Sequence, residues 1–173
     1  MTGLTIRPER PADEAAIRAV NDAAFGRGAE GALVDALRGS AAFVPELSLV
    51  AESGADLIGH VLFTRLQIVE GSVSHPALAL APMAVQPSWQ RRGVGSALVR
   101  RGLADARELG HGVVVVLGHP AFYPRFGFSP ARPLGIRSPF DAPDEAFLVL
   151  ALRPGALDGV RGEVRYPPEF LEV

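Results

Sequence analysis

The stretch from Leu78 to Leu117 constrains the fold more than any other part of this chain. Leu78-Ala79-Leu80-Ala81-Pro82-Met83-Ala84-Val85 reads as a buried strand, and Leu98, Val99, Gly102, Leu103, Ala106 and Leu109 recur on one face of a following helix. Val113-Val114-Val115-Val116-Leu117 is then apolar without interruption, as suits a strand covered on both faces beside a parallel neighbour. Strand, helix and strand make a βαβ crossover, so the sheet must contain a parallel pair.

The chain enters that helix through Gln90-Arg91-Arg92-Gly93-Val94-Gly95-Ser96. The first N–H groups of a helix lack intrahelical partners, and the positive end of the helix dipole lies among them. Gly93 and Gly95 carry no Cβ, so an anion can come close to the backbone. Arg91 and Arg92 add fixed positive charge. The turn reads as a phosphate-binding site; read structurally, it is a helix start with turn glycines and surface arginines. A nucleotide P-loop does not fit, because the chain has no lysine. A dinucleotide fingerprint fits poorly, because Leu98 takes the place of its third glycine and Gln86 to Arg92 separate the strand from the glycines.

With 173 residues, 48% hydrophobic and 21% charged, the chain can bury the core of one domain. A formal net charge of −2 gives no general electrostatic reason to bind nucleic acid. No apolar run is long enough for a membrane span, and Met1 to Pro8 lacks the pattern of a signal peptide. No membrane partner is expected, and the cytoplasm is the expected compartment. The absence of cysteine excludes disulfides, thiolate metal sites and a cysteine nucleophile. His60, His75, His111 and His119 show no metal-ligand spacing, so no metal is expected.

Elsewhere the pattern predicts a strand over Leu4 to Arg7, a helix opened by Pro11 and broken at Gly26, and a second helix from Glu30 to Arg38. Strands over Ser48 to Glu52 and Leu57 to Val69 form a hairpin. After the crossover, Ala121 to Phe126 forms a short helix or turn, and Phe128 starts a strand. Arg132 to Pro143 is a proline-rich loop, followed by strands over Phe147 to Leu152 and Gly162 to Tyr166.

The strand, the Gln-x-x-Gly-x-Gly turn and the helix together resemble the acyl-CoA-binding motif of the GNAT superfamily of N-acyltransferases. Leu80-Ala81-Pro82-Met83-Ala84-Val85, Leu117-Gly118-His119-Pro120, Phe122-Tyr123-Pro124-Arg125-Phe126-Gly127-Phe128 and Gly162-Glu163-Val164-Arg165-Tyr166-Pro167-Pro168-Glu169-Phe170 are similar to a poorly characterised bacterial branch of it. The resemblance implies a single α/β domain over residues 1–173, with flanking helices and a mixed central sheet containing a splayed parallel pair. It implies acetyl-CoA as cosubstrate and an amine as acceptor.

By the same resemblance, the backbones of Met83, Ala84 and Val85 meet the pantetheine arm. Pro82 cannot donate to a ladder, so it marks a bulge or merely relieves an edge. The pyrophosphate sits on the N–H groups of Arg91, Arg92, Gly93, Val94, Gly95 and Ser96, with Gln90 bonding backbone or phosphate. The two arginines pair with phosphate or stay in solvent. Tyr123, on the turn after the strand, matches the position of the family's general acid; otherwise it is an aromatic packed among Phe122, Phe126 and Phe128. A phenol can protonate the departing thiolate without ionising beforehand. Candidate bases are His119, His60, Glu70 and Glu46, with imidazoles favoured because they titrate near neutrality; read structurally, each is a packing or solvent-exposed residue. A backbone N–H near Met83 or Ala84 is expected to hold the oxyanion. Phe25 to Glu30 and Arg132 to Pro143 are expected to wall the acceptor site, though their mixed charge selects no amine.

The reading is therefore an acetyl-CoA-dependent N-acetyltransferase acting on a small amine or a peptide or protein N-terminus. The alternative is a non-catalytic acyl-CoA-binding or sensing protein, favoured by the lack of a carboxylate on the central strand. The sequence leaves open whether the chain is a homodimer.

Overall fold

The order of elements follows from where apolar runs meet glycine and proline. A computed structural model describes residues 3–172. β1 (Leu4–Pro8) leads through a turn of 3-10 helix into α1 (Glu14–Phe25), and Gly26, with φ of 68°, ends α1 in a left-handed cap. α2 (Ala29–Arg38) follows, then β2 (Phe43–Ser53), β3 (Asp56–Glu70) and β4 (Val73–Val85). α3 (Val94–Glu108) and β5 (Val113–Leu117) complete the crossover. Short strands β6 (Ser129–Pro130) and β7 (Ile136–Arg137) precede β8 (Phe147–Ala151) and β9 (Gly162–Arg165).

One mixed sheet runs β1-β2-β3-β4-β5-β8-β6, with β9 pairing the far half of β3 and β7 beside β9. β4 and β5 are parallel, and β4 is antiparallel to β3. Strand alternation places Leu49, Val61 and Phe63 on one face, against Leu98 and Val99 of α3. Val50 and Leu62 face the other way, against Ile17, Leu33, Val34 and Leu37 of α1 and α2. α3 lies close to the sheet: a Cβ at Gly102 would stand 2.2 Å from Phe63 Cε2. Arg38 ties α2 to the chain after β1 through two bonds to Glu9, at 2.9 and 3.1 Å.

Several predicted bounds move. β2 begins at Phe43 rather than Ser48, because Pro45 falls in the register irregularity between Phe43 and Ser48, where no ladder donor is needed. β4 begins at Val73 rather than Leu78; its first half pairs only with β3, which tolerates Pro76 and the polar Ser74 and His75. The Arg132 to Pro143 loop contains β7, whose partner Gly162 lies far along the chain.

Candidate active site

Pro82 has the local role the residue type suggests. β3 and β4 keep register as far as Phe63 opposite Leu80 and resume it at Val61 opposite Met83, so β4 carries one extra residue at Ala81–Pro82. The bulge resets the alternation. Leu78 and Leu80 pack on the α3 side, and so do Met83 and Val85. Beyond it, Ala84 sits opposite His60, buried on the α1 face.

β4 and β5 are paired only at Leu78–Val114 and Ala79–Val115. Past Ala79 the two strands part, and a cleft of about 1190 Å³ opens between them. Met83, Val85, Gly95 and Ser96 line one part of it, and Leu117, Gly118 and Tyr123 another. A shallower groove of about 490 Å³ between α1 and α2 is walled by charges that satisfy one another, Arg18 and Arg38 both pairing with Asp35.

The turn into α3 stands at the cleft. Gly93 caps the helix with φ of 85°, and Arg91, a residue with a Cβ, has φ of 61°. A left-handed arginine is held there at a cost of order 1–3 kcal/mol, a kind of strain that gathers at binding sites. Gln90 donates from Nε2 to the Val85 carbonyl at 3.1 Å and so ties the turn to the end of β4. Gln90, Arg91, Gly93, Gly95 and Ser96 all reach the cleft. The side chains of Ala84, Arg92 and Val94 turn away from the cleft: Ala84 faces α1, Val94 packs in the core beside Gly59, and the Arg92 guanidinium lies 5.1 Å from the Trp89 ring. Gly95 is not an open helix start, since a Cβ there would stand 3.2 Å from Met83 Sδ.

Tyr123 packs edge-on against Phe122 and Phe128, with ring centroids 5.0 and 5.8 Å apart, and also lines the cleft. The packing and cleft readings of this residue therefore coexist. Gly118 is required beneath it, because a Cβ would come within 2.4 Å of Tyr123 Cε2. Burial pushes the phenol up to about 12, so it keeps its proton through the neutral range.

Among the base candidates, only His119 reaches the cleft. His60 is fully buried under α1: Asn21 donates to its Nδ1 at 3.3 Å, leaving Nε2–H to donate to Ser48 Oγ at 3.0 Å. Burial, and then the charge of Arg38, hold that imidazole down at about 3. It stays neutral as a core residue and has no route to an incoming amine. Glu46 and Glu70 lie outside the cleft wall, and Glu70 is 4.0 Å from Arg161. The cleft wall also takes in Phe25, Arg27 and Glu30, with Phe140, Tyr166 and Phe170. The two expected loops contribute the first four. Tyr166 and Phe170 could not be placed there from sequence, since only the β3–β9 pairing brings the C-terminal segment across.

Such geometry defines a class: α/β proteins with a sheet split at a parallel pair and a helix start at the split, able to hold a long anionic molecule edgewise. The chain belongs to the GNAT family of acetyltransferases, whose domain model, described as an acetyltransferase (GNAT) domain, matches residues 5–131. It is 34% identical to the uncharacterized N-acetyltransferase YhbS of Escherichia coli, over 96% of this chain and 98% of that protein. It is 41% identical to the uncharacterized N-acetyltransferase YjhQ of the same organism, over 77% of this chain and 74% of that one. The crystal structure of E. coli YhbS in complex with CoA superposes with a TM-score of 0.90, covering 97% of this chain and 92% of that one. A Brucella melitensis GNAT acetyltransferase in complex with acetyl-CoA superposes at 0.79 with 36% identity, covering 96% of this chain and 97% of that one.

Proposed function

We propose that the chain moves the acetyl group of acetyl-CoA directly onto a primary amine. The observation that carries this reading is the parting of β4 from β5 just after Ala79, with the α3 turn and Tyr123 bordering the opening. The CoA complex of YhbS and the acetyl-CoA complex of the Brucella protein support it. In this reading the pyrophosphate rests on the N–H groups from Arg91 to Ser96, and the pantetheine amides pair with the β4 backbone from Met83 to Val85.

The amine nitrogen attacks the thioester carbonyl carbon, and a β4 N–H beside the bulge holds the oxyanion. The carbon–sulfur bond then breaks, giving the amide and CoA thiolate. Of the four base candidates, His119 is the one in the cleft wall, and it accepts the proton shed by the ammonium before attack. A phenol at about 12 gives up its proton uphill to a thiolate whose thiol has a reference pKa near 8.5. Tyr123 therefore acts first as a hydrogen-bond donor to the charge growing on sulfur. The second proton of the amine completes the neutralisation. Holding amine and thioester together supplies much of the remaining acceleration.

Calorimetry tests the cosubstrate. Acetyl-CoA and CoA are expected to bind and ATP and NAD to fail; tight NAD binding without CoA binding would remove the reading. Amine-dependent release of CoA then separates the enzyme from a sensor that binds acetyl-CoA without turnover.

A further inference from the structure

Glu30 is the one carboxylate in the described wall, to which Phe25, Phe140, Tyr166 and Phe170 also belong; the cations of that wall are Arg27, Arg91 and Arg125. Phe140, Tyr166 and Phe170 form a continuous set of rings, with successive centroids 5.0 Å apart. Arg27 covers Glu30, donating from Nε at 3.0 and 3.1 Å and also from its terminal nitrogen. The two partners are unequally placed: the Glu30 side chain is 14% exposed and that of Arg27 is 68% exposed. A pair with one partner this exposed is weak. Arg27 can swing into water once a second cation takes its place beside Glu30, so the largely buried carboxylate is never left unpaired.

From this arrangement we infer that the acceptor is a primary ammonium carried on an aromatic or bulky apolar body, held by Glu30 in place of Arg27, with no carboxylate beside the amine. The inference rests on the acetyl-transfer reading and narrows its substrate class. The rings supply an apolar surface and π faces that attract cations. Glu30 supplies the charge partner, and it would repel an amino acid's own carboxylate.

Three amines separate the contributions: 2-phenylethylamine, ethylamine and phenylalanine, each assayed for CoA release at saturating acetyl-CoA. Phenylethylamine is expected to exceed ethylamine in kcat/KM by roughly tenfold or more, from burial of the ring. It should exceed phenylalanine as well. Glu30→Gln should raise KM for phenylethylamine roughly tenfold and leave KM for acetyl-CoA unchanged. Arg27→Ala should lower KM for phenylethylamine, because it uncovers Glu30. If the pair were only structural, both variants would weaken the amine alike. Equal rates across the three amines, or a shift of the two variants in the same direction, overturn the inference. Calorimetry of acetyl-CoA and of phenylethylamine with the same preparations separates the two readings. Acetyl-CoA binding with no preference for phenylethylamine sinks the acceptor class alone, while absence of acetyl-CoA binding sinks the transfer reading.

Discussion

Tyr123 and Gly118 act as one unit. The ring lies against the glycine with no room for a Cβ, since that atom would stand 2.4 Å from Tyr123 Cε2. Removing the hydroxyl and displacing the ring are therefore separable experiments. Tyr123→Phe keeps the packing with Phe122 and Phe128 and, by removing one donor to the developing charge, is expected to lower kcat by about 10²–10³-fold, with little change in acetyl-CoA affinity. A wild-type rate in steady-state assay would make Tyr123 a packing residue only. Gly118→Ala should cost about 1–3 kcal/mol of stability through overpacking. It should also lower kcat, because the hydroxyl moves with the ring. Denaturant unfolding beside the same assay checks both effects. Glu30 belongs to this scale too, as a single carboxylate whose position in the wall depends on how α1 and α2 cross.

Elements explain which substitutions stay local. The α3 turn is joined to β4 twice, by Gln90 bonding the Val85 carbonyl and by Gly95 lying against Met83. Gly95→Asp is expected to weaken CoA binding by roughly tenfold or more, through charge repulsion at the helix start. It should also lower the melting temperature slightly, because the Met83 thioether must shift away from the new Cβ. Calorimetry and thermal unfolding measure the two; unchanged affinity in a folded variant would make the turn merely structural. The crossover and its turn were legible in the sequence because they are contiguous, with periodicity, glycines and arginines inside one short window. β7 was not, since two residues carry no period and its partner lies at Gly162. This part of the cleft wall was half legible: Phe25 to Glu30 and Phe140 fell in expected loops, whereas Tyr166 and Phe170 arrive only through sheet pairing. His60 was left between base and structural residue because an imidazole on a strand looks the same in sequence whether it meets a cleft or Asn21 and Ser48.

The whole molecule answers to pH through that same buried imidazole. His60 is held at about 3 in the folded protein against an ordinary value of 6.5. The unfolded chain then binds one more proton between those values, so the stabilisation is complete above about 6.5 and is lost as pH falls towards 3. The slope is about 1.4 kcal/mol per pH unit. His111, depressed by burial and then by Arg65, adds in the same direction. Thermal unfolding from pH 7 to pH 5 should show a falling melting temperature. His60→Gln should flatten that fall, and an unchanged slope would contradict the assignment. At this scale the parting of β4 from β5 carries a consequence for heat. A sheet with an open seam has main-chain groups without a neighbouring strand, and on the proposed chemistry the coenzyme is that strand for as long as it stays. Each tenfold rise in CoA above its dissociation constant should then add about 1.4 kcal/mol. For a domain of this size that is roughly 3–6 °C in melting temperature. The temperature at which the fold gives way becomes a gauge of coenzyme supply.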